Sequence, residues 1–171
     1  MVLAILTGCG PVGDKSASLT TIYGVTALLS LLIFLGYVGF VKQKDLWFVL
    51  LLASVLTVNC GYLYLALSTS LPHGLMANRI SYLGSVMLPL SMFMIILRET
   101  GIVYKKWLPH LLFSISGVIF LIAASPGILP IYYKDVSFAV IAGAGTLVKV
   151  YGPLHPLYLF FLLGYFAAMI G

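Results

Sequence analysis

Charge is what this sequence has least of. Only 8% of its 171 residues are charged and 62% are hydrophobic, whereas a soluble domain carries about 25% charged residues. So few charges cannot build a water-facing surface, which excludes the soluble classes. The acidic side chains number four, Asp14, Asp45, Glu99 and Asp135. All lie at loops or at the ends of apolar runs, and no two share a run. That pattern offers no pair of carboxylates for general acid–base catalysis and no buried charge to mark an ion or proton pathway. Cysteine is equally scarce: Cys9 and Cys60 fit neither a disulfide framework nor a zinc site, and Cys60, inside an apolar run, reads as a small hydrophobe. His73, His110 and His155 are too scattered to share a metal. Neither a metal nor a cofactor is expected. The nine basic residues are dispersed over loops rather than massed on one face, so nucleic acid is not an expected partner either.

What the chain has instead is long apolar runs, and the lipid bilayer is its first expected partner. The central run, Ile80 to Leu97, is bounded by Arg79 on one side and Arg98-Glu99 on the other. Its 18 residues, at about 1.5 Å each, give roughly 27 Å, close to the hydrocarbon thickness of a membrane. Pro89 in its middle removes a backbone donor and crowds the Ser85 carbonyl, with Ser81 and Ser85 able to share the loosened bonds. Pro89 therefore reads as a packing kink or as a hinge.

Further spans are expected at about 19–41, 46–67, 107–124 and 157–171, with the central one at 80–97. The fold class is thus an all-α polytopic membrane protein, a bundle of five transmembrane helices. Residues 1–18 form an extracellular leader. Within it Leu6-Thr7-Gly8-Cys9 has the form of a lipobox, but no basic residue precedes it and its apolar run is short; the leader is the plainer reading, and lipidation of Cys9 is left open. The loop 68–78, with Pro72 and His73, is polar. The loop 125–156 contains two β-branched and aromatic runs, Val136–Ile141 and Thr146–Tyr151, around Ala142-Gly143-Ala144-Gly145, which predicts a short extracellular β-hairpin between helices 4 and 5. From Leu157 to Gly171 is about 22 Å of helix, short of a full crossing, so a truncated chain is expected.

The density of Lys42, Lys44, Arg98, Lys105 and Lys106 in two short loops places those loops in the cytoplasm and the N-terminus outside. Polar and aromatic side chains then collect in the outer half: Asn59, Tyr62, Tyr82, Ser85, Tyr151, His155 and Tyr158. Two readings stand side by side. They line a pocket under the hairpin for a small-molecule or lipid-like ligand, or they are an interfacial tyrosine belt with Asn59 making an interhelical bond.

The order of features resembles a known family. A short basic first cytoplasmic loop precedes a third span reading Tyr82-Leu83-Gly84 to Leu88-Pro89 and closing on Arg98-Glu99-Thr100-Gly101. A long outer loop then leads through Val150-Tyr151-Gly152-Pro153-Leu154 into the fifth span. Together these resemble the N-terminal seven-transmembrane sensor region of bacterial histidine kinases and related signalling proteins. The resemblance implies a sensor in the bacterial cytoplasmic membrane, part of a seven-helix bundle, truncated after the fifth span. It implies no catalysis by this region itself. The output region, a PAS domain, kinase or cyclase, would follow it, and a homodimer is expected only through that output region. A fragment of a small-solute permease is the alternative, which paired half-repeats would favour; spans one to three show no obvious repeat later in the chain.

Overall fold

The computed structural model describes residues 14–141 and 144–170. The lipobox at Cys9 and Gly143 of the hairpin turn lie outside the described residues. Helix α1 (Asp14–Phe40) is followed by α2 (Leu46–Leu67), α3 (Leu71–Glu99) and α4 (Leu108–Ala123), then strands β1 (Tyr133–Ile141) and β2 (Ala144–Tyr151), then α5 (His155–Ile170).

Each boundary has a local cause. Asp45 caps α2, its carboxylate accepting from the Trp47 amide at 3.1 Å. Pro72 and Pro109 sit in the first turns of α3 and α4, where backbone donors have no helical partner to lose. The end of α3 is closed by Gly101 at φ +70°, with the Ile102 amide donating to Leu97 O at 3.1 Å. α3 continues through Pro89, which is buried. Nearby, the Ser85 hydroxyl donates to Ser81 O and the Ser91 hydroxyl to Leu88 O, both at 2.8 Å.

Two expectations change. The third helix starts at Leu71 rather than at Ile80, so Ser68–Asn78 is not a polar connection: Asn78 and Arg79 keep the helix because tertiary partners satisfy them. Among the described residues five helices are present, as expected, but the bundle is not five clear spans. Three helices, Leu19–Phe40, Leu46–Leu67 and Leu71–Glu99, are long and apolar enough to cross a membrane. α4 and α5 have 16 residues each, about 24 Å, against a hydrocarbon core of about 30 Å. The hairpin is present, antiparallel, with Val136 opposite Lys149 and Phe138 opposite Leu147.

Helices α2 and α3 meet along small residues. A Cβ on Gly84 would lie 2.5 Å from Ser54 O, and one on Gly61 would lie 2.6 Å from the Ser81 amide nitrogen. Only glycine allows that approach. Leu90, Met94, Leu97 and Tyr165 form the core near the Arg98 end, with Trp47 and Phe93 against them. Ala123, Tyr132 and Tyr133 form the core at the hairpin end. On α1, by contrast, Leu28, Leu32 and Ile33 are exposed, a contiguous apolar face suited to lipid rather than water.

Candidate functional site at the hairpin end

Period-two alternation decides which side chains of the hairpin face the helices. In β2, Gly145 and Leu147 are buried, Lys149 is half-buried, and Val148 and Val150 are exposed. The buried set seats the hairpin on α2 and α3. A Cβ on Gly145 would lie 2.5 Å from Ser68 O and 2.6 Å from Leu65 O, and one on Gly74 would meet Leu147 at 2.9 Å.

Tyr82, on α3, is the hub of the site. Its hydroxyl accepts from Tyr132 at 3.0 Å and shares a hydrogen bond with Tyr133 at 2.8 Å. Its ring meets Tyr132 and Tyr158 edge-on, with centroids 5.5 and 5.4 Å apart, the arrangement that aromatic quadrupoles favour. His155 lies 3.9 Å from the Tyr151 ring and 5.3 Å from Tyr132. Burial, with the hydrogen bonds to Tyr82 second, pushes the phenols of Tyr132 and Tyr133 well above the usual range. They therefore act as neutral donors and acceptors.

Beside this cluster, Lys149 donates to Asn78 Oδ1 at 2.9 Å and stands over the Tyr133 ring, 5.1 Å from its centroid. Burial lowers its pKa. Asn78 is only 4% exposed and its Nδ2 has no partner among the described residues. Arg79, one residue on, donates to Ala124 O at 3.1 Å and Pro126 O at 3.2 Å, tying α3 to the segment that follows α4.

Of the residues singled out in the sequence, Tyr82, Tyr151, His155 and Tyr158 come together, and Ser85 is beside Tyr158. Tyr62 makes no hydrogen bond or ring contact with them among the described residues, although its phenol is near enough to Tyr82, Tyr133 and Tyr158 to interact electrostatically. It stacks on Tyr23 with centroids 5.9 Å apart and lines a cavity of about 190 Å³ between α1, α2 and the strand ends at Ile141 and Ala144. Asn59 lies in the α1–α2 groove with Thr26 and Ser30. Pro89 sits further along α3, beside the core of Leu90 and Met94. Sequence reasoning missed Tyr132, Tyr133, Asn78 and Lys149. Alternation alone could have found Lys149, since it puts that residue on the same face as Leu147.

At the opposite end of α3, Arg98 forms an ion pair with Asp45 at 2.7 Å and another with Glu99 at 2.8 Å. The Asp45 amide donates to the Tyr37 hydroxyl at 3.1 Å. One helix thus carries the hairpin contacts at one end and a charged junction with α2 at the other.

A family model described as the N-terminal 7TM region of histidine kinase matches residues 22–171. No curated protein and no solved structure matches the chain.

Proposed function

Since the chain belongs to the family of N-terminal 7TM regions of histidine kinases, and is thereby a multi-pass membrane sensor region of a signalling protein, we propose how it senses. Its hairpin end faces outside the bacterial cytoplasmic membrane, receives a small-molecule or lipid-like signal, and passes it through α3 to a cytoplasmic output region. In this reading all five helices belong to one membrane bundle, with α4 and α5 reaching the interfaces through their flanking segments. The observation that carries the reading is the linkage on α3. Asn78 and Tyr82 hold the hairpin through Lys149, Tyr132 and Tyr133, and Arg98 on the same helix pairs with Asp45.

The mechanism is a population shift. A signal that binds one hairpin position better than another moves α3 only by its difference in affinity for the two states. Pro89 is the hinge in this scheme, because its missing N–H leaves α3 one backbone bond short at that point. The test is signal-dependent output in cells carrying the signalling protein. Tyr82→Phe and Pro89→Ala should each shift the response, and an unchanged response in both refutes the linkage.

A further inference from the structure

Between α1, α2 and the strand ends at Ile141 and Ala144 lies a cavity of about 190 Å³. Leu19 and Tyr23 of α1, Tyr62 and Ala66 of α2, and Ile141 and Thr146 of the hairpin contribute to its wall. Its size is slightly above that of the ~150 Å³ apolar cavity known to hold benzene. No Lys, Arg, His, Asp or Glu is among the described residues that line it. An ionised ligand would lose its hydration there with no counter-charge to replace it. The lining side chains that carry a polar group are Tyr23, Tyr62 and Thr146, each a neutral hydroxyl, and the rings of Tyr23 and Tyr62 stack with centroids 5.9 Å apart.

We propose that this cavity is a binding site for a neutral molecule the size of a single ring carrying one hydroxyl or carbonyl, a phenol-like compound. The ring packs on Tyr23 and Tyr62, and its polar group bonds a wall hydroxyl. The lining of the site includes none of Tyr82, Tyr132, Tyr133 and Tyr158, and Tyr62 stands between the cavity and that cluster. The site deepens the sensor reading and rests on it only for the consequence of binding. Gly145 presses the hairpin directly on the Ser68 and Leu65 carbonyls, so an occupant at this seam sets how the tip sits on α2.

The test uses 4-fluorophenol as probe and the full chain in phosphatidylethanolamine–phosphatidylglycerol nanodiscs, read by fluorine NMR against empty nanodiscs. Saturable binding is expected, and Ala66→Leu and Leu19→Phe, which fill the cavity from different helices, should each weaken it tenfold or more. Circular dichroism and the thermal midpoint show that at least one variant is folded. A signal no different from empty nanodiscs overturns the proposal, as would a cavity permanently filled by lipid, which leaves no saturable phase. Binding undiminished in a folded filling variant overturns it equally. Binding lost in the variants while signal-dependent output is unchanged supports the site and counts instead against the sensor reading of it.

Discussion

Asn78→Leu should loosen the hairpin from α3, and the contact is well placed for a double-mutant cycle. The Lys149 ammonium is half-buried, has no carboxylate partner among the described residues, and donates to Asn78 Oδ1 at 2.9 Å. A hydrogen bond to a charged group contributes about 1.5–3 kcal/mol, so Asn78→Leu should cost about 2 kcal/mol. Lys149→Met removes the donor and leaves the Asn78 amide wholly unpartnered, at about 1–3 kcal/mol. The loss is offset by relief of a desolvated cation, so this variant should cost less than Asn78→Leu. In the double variant neither group remains to be orphaned, and its cost should fall short of the sum of the singles by about 1–2 kcal/mol. The readout is amide hydrogen exchange of residues 144–151 in nanodiscs, which reports local opening of the hairpin. Additivity within about 0.5 kcal/mol would refute the contact.

The same lysine gives a pH signature. Burial holds its folded pKa below the ordinary 10.5, so between the folded value and 10.5 the unfolded chain binds more protons. Stability from this group is therefore present above 10.5 and lost as pH falls through the folded pKa; in a thermal unfolding series from neutral pH to 10.5 the native chain should gain on Lys149→Met, while the raised phenols of Tyr132 and Tyr133 take stability from both chains as pH passes 10. Tyr82→Phe removes the shared partner of two buried phenols and should cost about 1–3 kcal/mol in thermal unfolding, with exchange faster at Tyr132 and Tyr133. Gly84→Ala drives a methyl to 2.5 Å from Ser54 O, and forcing α2 from α3 should cost about 1–3 kcal/mol in the same assay. Gly145→Ala should raise exchange at the hairpin tip, because its Cβ would overlap two backbone carbonyls of the α2 end; unaltered exchange would mean that the tip does not rest there.

The hairpin was legible because strand alternation and a glycine-rich turn are local signals. The start of α2 at Leu46 was legible too, from the charged break that ends α1, though the capping role of Asp45 was not. The start of α3 was not. Pro72, His73, Asn78 and Arg79 read as a loop when their partners are unknown, and those partners lie far along the chain: Lys149 for Asn78, and the carbonyls of Ala124 and Pro126 for Arg79. The tyrosine hub failed for the same reason. Tyr82, Tyr151, His155 and Tyr158 stood out in sequence by depth, yet Tyr132 and Tyr133, which bond Tyr82, sit in what looked like an undistinguished loop. Asn59 and Tyr62 were grouped with them by depth alone. Depth does not report which face of α2 a side chain occupies: both line cavities on the α1 side, and Tyr62 is also within electrostatic reach of Tyr82.

The central claim is that this region receives its signal at the hairpin, outside the cell, and hands it on at the Arg98 end, inside. Cysteine accessibility in intact cells tests it most directly, with Cys9→Ser and Cys60→Ser as background. Ser137 on β1 and Thr100 at the end of α3 are both exposed. A membrane-impermeant maleimide should label the Ser137→Cys thiol in intact cells and the Thr100→Cys thiol only after permeabilisation. The reverse pattern, or equal labelling of both in intact cells, would contradict the account.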